Sequence, residues 1–137
     1  MTMQLALIIL NILFILLLLI MTVVTSRYFK RHEVSYNELL TEYRSNGFDL
    51  DLVTNYSSFF GSLLNHHKII YFVRLYKGVK MKFAPDRNVQ PEAYAYIQQL
   101  PQEKIGWILR LHRLYMIQHA ITGFWLCEML IFIYLYG

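Results

Sequence analysis

The groups in this chain that could do chemistry are few, and Glu128 stands in the least ordinary setting. It lies in an apolar run over residues 115–136, broken only by Gln118, His119, Thr122 and Glu128 itself. An ionised carboxylate at the centre of a bilayer costs about 2.5–3.5 kcal/mol on insertion scales, so such a group must be neutral or paired. It could then pass a proton along an ion path, or it could make a polar contact that joins helices. A second apolar run, residues 5–24, carries Asn11 and Thr22. Asn11 is about seven residues from the outer end of its run and Glu128 about eight from the outer end of its own, so an antiparallel hairpin brings them to similar depth. Two helices alone enclose no aqueous path. A helix–helix contact is therefore expected, between Glu128 and Asn11 or a group on a partner subunit. Ala120, Gly123 and Cys127 share one helical face, and Gly123-x-x-x-Cys127 is a small-xxx-small pair that lets another helix approach closely. Cys127, the single cysteine, is read as a packing residue.

Other candidate groups carry less. His112 and His119 are seven residues apart on one helix face, about 10 Å along the axis, too far to share one metal. His66-His67 adjoins Lys68 with no Asp, Glu or Cys within ten residues. Asp49-x-Asp51 has the form of a metal-binding pair, but no nucleotide-binding domain accompanies it. Phosphate loops, nucleophile elbows and His-Glu-x-x-His motifs are absent from the sequence. The expectation is a protein without enzymatic activity, cofactor or metal.

The elements that must position these groups follow from hydropathy. With 56% hydrophobic and only 16% charged residues, the chain is oily for its 137 residues. Its charged share falls below the roughly 25% of soluble domains and excludes a disordered chain. An apolar run of about 20 residues is what a ~30 Å hydrocarbon core requires. The first run lacks the basic start and small-residue cleavage site of a signal peptide and is read as an uncleaved anchor. All 13 Lys and Arg fall within residues 27–113, and eight of the nine acids lie there too. Arg27, Lys30 and Arg31 follow the first span, and Arg110 and Arg113 precede the second. By the positive-inside bias, residues 27–114 are cytoplasmic and both termini periplasmic. The fold expected is an all-α membrane protein: transmembrane helix 1 (residues 1–26), a small, basic, helical cytoplasmic region (27–114) and transmembrane helix 2 (115–137).

Within the middle region, Tyr36, Leu39, Leu40 and Tyr43 form one helix face, which Asn46-Gly47 should end. Residues 49–54 read as a loop or short strand. A helix is expected over 56–76, with Ile69, Phe72, Val73 and Tyr76 as its stripe, and residues 84–88 as a turn. Pro91 and Pro101 each suit the first turn of a helix. The second of these helices is expected to run unbroken into the last span. Residues 52–85 contain no acid but hold Lys68, Arg74, Lys77, Lys80 and Lys82, interleaved with Tyr56, Phe59, Phe60, Tyr71, Phe72, Tyr76 and Phe83. The plain reading of this stretch is a solvated basic face on a small helical domain; beside an anionic leaflet, where each nearby cation contributes about 1 kcal/mol, it is, with the juxtamembrane cations, a candidate contact for headgroups or an acidic partner. Tethering to a membrane argues against nucleic acid as the ligand.

The layout resembles the universal stress protein B family, small bacterial inner-membrane proteins with a span at each end and a basic cytoplasmic middle. The pieces that carry the likeness are Arg27-Tyr28-Phe29 straight after the first span, Gly47-Phe48, the His/Lys/Tyr-rich stretch 65–76 and the basic helix 103–113. This chain looks longer through its middle, with residues 78–101 as the expected insertion. The resemblance implies a stress-related protein of the inner membrane, distinct from the soluble nucleotide-binding universal stress proteins, with no catalytic residues to carry over. The first expectation is thus an accessory subunit that docks onto a larger membrane complex or its own copies. The alternatives are an anionic-lipid-binding stress protein and a small pore-former.

Overall fold

The computed structural model describes residues 2–57, 60–61 and 64–137. Its elements are α1 (Met3–Arg31), α2 (Glu33–Ser45), α3 (Leu52–Ser57), α4 (Asn65–Lys77), β1 (Lys82–Ala84), β2 (Arg87–Asn88), α5 (Pro91–Gln98) and α6 (Gln102–Tyr136). The fold is all-α apart from one two-stranded hairpin, and α1 and α6 are each long and apolar enough to cross a membrane. At 1.5 Å per residue, α6 is about 52 Å long. The chain divides into two compact units, Met1–Thr25 with Arg113–Gly137, and Ser26–His112.

The first unit is a pair of helices. Its less exposed residues include Leu7, Asn11, Phe14, Leu18, Met21 and Thr25 on α1, and Gln118, Ile121, Trp125, Glu128 and Phe132 on α6, with Ala6, Leu114, Tyr115, Thr122 and Met129 flanking them. Alternating steps of three and four along both helices make the 3.5-residue seam of a coiled pair. Off the seam, α1 turns large apolar side chains outward, as Leu13, Leu19 and Ile20 show. A leucine- and isoleucine-rich helix is the natural form for such a run, because it satisfies every backbone polar group internally.

The second unit has an aromatic core. Phe29, Tyr36, Leu39, Tyr43, Ile69, Phe72, Leu75, Ile97, Trp107 and Leu111 are buried in it. Tyr36, Leu39 and Tyr43 supply the inner face of α2, which ends at Asn46 ahead of Gly47. Gly78, at φ 71°, closes α4 in the left-handed conformation, its N–H on the Leu75 carbonyl and that of Val79 on Arg74. Pro91 opens α5 at its first turn. Pro101 stands just ahead of α6, where its carbonyl accepts from the N–H groups of Lys104 and Ile105.

Three expectations about the middle region are corrected. The single helix over 56–76 is two, α3 and α4, separated by a segment in which Gly61 takes φ 58°. Residues 49–54 are not a strand: Asp51 Oδ1 accepts from Thr54 N at 3.0 Å, an N-cap bond that starts α3 at Leu52. Nor is the region wholly helical, since β1 and β2 pair antiparallel (Lys82 with Asn88, Ala84 with Arg87) around Pro85-Asp86. The turn residues are where the sequence indicates them; the strands they join are too short to leave a period.

Candidate functional site

The first-unit contact centres on Glu128, which is 6% exposed. Asn11 Nδ2 donates to Glu128 Oε2 at 2.9 Å, and Trp125 Nε1 donates to Asn11 Oδ1 at 3.1 Å. Asn11 Nδ2 also lies against the Met129 sulfur. Further along, Gln118 Nε2 donates to Thr22 Oγ1 at 3.0 Å. The step from Thr22 back to Asn11 is eleven residues and that from Gln118 on to Glu128 is ten, so one antiparallel register serves both contacts. Glu128 Oε1 has no hydrogen-bond partner among the described residues. Ala120, Gly123 and Cys127 are turned the other way: all three are exposed, and a Cβ built on Gly123 meets nothing within 4 Å. Among the residues expected at a helix contact, then, Asn11 and Glu128 meet each other while Gly123 and Cys127 look outward.

In the second unit the basic residues expected at a headgroup or partner contact divide into three groups, while Arg87 and Lys104 are paired with Asp49 and Glu42. Arg27 and Lys30 line a cavity of about 430 Å³ together with Glu33, Gly61, Asn65 and Lys68. Lys68 is only 7% exposed. Its Nζ donates to the Gly61 carbonyl at 2.8 Å and to Asn65 Oδ1 at 3.3 Å, and it stands 5.0 Å from the centre of the Phe29 ring. Burial pulls the Lys68 ammonium below the usual lysine range, with the Glu33 charge opposing. Lys80 and Lys82 line a second cleft with Tyr94 and Gln98. Arg31, Arg74 and Lys77 are exposed, and Arg110 Nε donates to the Tyr28 hydroxyl at 3.2 Å. Arg113, assigned to the first unit, is exposed.

The aromatic groups interleaved through residues 52–85 do not form one surface. Tyr71 and Phe72 are core residues, Tyr76 and Phe83 are half-buried, and Tyr56 and Phe60 are exposed; Phe59 lies outside the described residues. Tyr43 and Tyr71 both donate to the Asp49 carbonyl at 3.2 Å, their oxygens 3.3 Å apart. Burial raises both phenols above the ordinary tyrosine value, and Tyr36 likewise. The Asp49 carboxylate pairs with Arg87 at 2.6 Å and Asp51 is the α3 cap, so both acids have structural work.

Sequence reasoning did not find three of these features. Trp125 as the third member of the Asn11 contact has a readable signal, since it is seven before Phe132 and three before Glu128 on the seam. Lys68 as a buried group has one too, at i−1 to Ile69 on an otherwise apolar face. His66 and His112, whose ring nitrogens approach to 3.3 Å, are 46 residues apart and carry none. No group of three or more His, Cys, Asp or Glu is placed to hold a metal among the described residues. No protein-family model matches the chain, and neither does any curated protein or solved structure.

Proposed function

We propose that this chain is a non-enzymatic, two-span membrane protein that acts as an accessory subunit, docking through its helix pair onto a larger membrane assembly or onto its own copies. The observation that supports the reading is the division of labour on α6. Gln118 and Glu128 turn inward and hydrogen-bond within the chain, while Ala120, Gly123 and Cys127 lie on the outer side with Phe124 (69% exposed) and Leu130 (67%). Between helices in lipid there is little hydrophobic force, and close backbone approach at small residues is the main route to association. The reading places residues 27–114 in the cytoplasm and both termini in the periplasm. Resemblance to the universal stress protein B family extends it to a stress-related role in a bacterial inner membrane.

The test uses the open space at Gly123. A leucine there disturbs nothing within the chain, because no atom lies within 4 Å of the added Cβ. Native mass measurement after mild-detergent extraction should show the wild type in a complex larger than one chain. Gly123→Leu should release the folded monomer. A wild type that is already a monomer, or a complex indifferent to Gly123→Leu, would remove the docking reading.

A further inference from the structure

We propose that the cavity lined by Arg27, Lys30, Glu33, Gly61, Asn65 and Lys68 binds the phosphate of an anionic lipid headgroup. This rests on the chain's spanning a membrane and is independent of docking through α6.

The lining carries three cations against one carboxylate, Glu33. At about 430 Å³ the cavity falls within the roughly 300–1,000 Å³ of small-ligand clefts. Lys68 distinguishes it from a solvated basic face. An ammonium has three N–H donors, and two of them are held by Gly61 O and Asn65 Oδ1. The Asn65 side chain, buried itself, comes from the same helix, one turn earlier, and fixes where the ammonium points. Keeping a lysine in so dry a place costs stability unless an anion arrives. Neither Gly61 nor Asn65 brings a negative charge, and Glu33 is exposed. A phosphate supplies both the charge and the acceptor oxygens.

The source of that phosphate follows from chain order. Arg27 and Lys30 belong to α1 and come within two helical turns of Val24, the last residue of the apolar run. Cations so close to the end of a span lie at the level of the lipid phosphates. Next to Gly61, whose carbonyl anchors Lys68, stands Phe60, 57% exposed. With Leu52 and Tyr56, also exposed, it makes a series of apolar groups at four-residue spacing in the chain leading up to Gly61. A free anion needs no such apolar neighbours; a lipid, with its glycerol and acyl carbons, does.

The experiment uses the full chain, first reconstituted in nanodiscs of phosphatidylcholine. Failure to incorporate would count against membrane residence and not against the cavity. The protein in mild detergent is then titrated with phosphatidylglycerol, with phosphatidylcholine of the same acyl chains, and with inorganic phosphate, and bound species are counted by native mass spectrometry. One phosphatidylglycerol should bind at least tenfold more tightly than phosphatidylcholine, on the scale of about fivefold per cation engaged. Lys68→Met should abolish the preference. Because that change is buried and could impair folding, the decisive variants are Arg27→Gln and Lys30→Gln, both exposed at the rim, each expected to weaken binding about fivefold. Arg74→Gln and Lys77→Gln, in the last turn of α4, serve as the control and should change binding little. Equal losses from the rim pair and the α4 pair would mean a diffuse basic field and no built site. Equal affinity for the two lipids would overturn the proposal, and so would displacement of the lipid by equimolar inorganic phosphate, which would make the free anion the ligand.

Discussion

Replacing Glu128 separates a structural acid from a working one. Its Oε2 accepts the Asn11 amide at 2.9 Å, and that same amide accepts Trp125 Nε1 at 3.1 Å. Intramembrane hydrogen bonds contribute about 0.6 kcal/mol on average and about 1.7 at most. Glu128→Leu deletes one such bond and leaves Asn11 Nδ2 with only the Met129 sulfur, while Asn11 Oδ1 keeps Trp125, so the helix pair should weaken by about 0.6–2 kcal/mol. Glu128→Gln keeps an acceptor oxygen in the same place and should lose less than about 0.6 kcal/mol. Asn11→Leu removes both bonds and should be the costliest single change. Combined with Glu128→Leu it should show a coupling of about 0.6–1.7 kcal/mol, because each single change already breaks the shared bond. The antiparallel register brings the two chain ends to the same end of the pair. Energy transfer between dyes on the termini, followed through an SDS titration in mild detergent, therefore reads helix separation. If Gln destabilises as much as Leu, the bond from Asn11 is not what Glu128 contributes. If Gln leaves the pair intact but ends the protein's cellular function, a proton cycle at Glu128 becomes the better account.

Two further outcomes follow from charge and burial. With every Lys and Arg between residues 27 and 113, a reporter fused after Gly137 should read as periplasmic and one inserted at Asn88 as cytoplasmic; the opposite pair of readings would reverse the topology. The buried phenols set an alkaline limit: Tyr36, Tyr43 and Tyr71 have raised folded values, so their contribution is complete below the unfolded value near pH 10 and is lost as pH rises through the folded ones. Lys68 works in the opposite sense, its lowered folded value giving stability that is greatest above about pH 10.4 and is lost as pH falls. Alkaline unfolding followed by tyrosinate absorbance should thus begin above about pH 10 and become shallower in Tyr71→Phe, whereas Lys68→Met should flatten the slope on the neutral side. Ionisation of all three phenols near pH 10 in the still-folded chain would contradict the burial argument.

What the sequence made legible was whatever has a period or a fixed local chemistry. The runs ending in α1 and α6 are long enough to stand out from any background, and the Tyr36–Leu39–Tyr43 face repeats at helical spacing. Asn46-Gly47 and Pro91 mark ends and starts because glycine and proline have only a few backbone options. Where the reading failed, two local signals competed. Hydrophobic residues over 56–76 are dense enough to read as one helix, and Gly61 alone did not argue strongly against it. Asp51 has the form of half a metal-binding pair, yet an Asp three residues before Thr54 is also a strong N-cap, and the cap is what the fold uses. The β1–β2 pair spans too few residues for an alternating pattern, so only its turn could be seen.

Sites are harder to read than elements because they depend on pairings between distant residues. Asn11 and Glu128 are tractable because two apolar runs of similar length, paired antiparallel, impose a register, and distance from the end of a run is a coordinate that sequence supplies directly. Nothing comparable links Lys68 to Arg27. In charge counts Lys68 is one more cation in an acid-free stretch, equivalent to Lys77 or Lys80, and the inference drawn from such a stretch is a surface. Tertiary packing breaks that equivalence: Phe72 and Ile69 turn α4 inward, and the adjacent Lys68 goes with them, carried under Phe29 and held by Asn65 one turn earlier. A cation on a helix face next to core positions, with an asparagine three residues before it, is therefore better read as a candidate for burial than as part of a basic patch. Burial is also what gives such a cation selectivity, because an ion kept from water can be satisfied by very few partners.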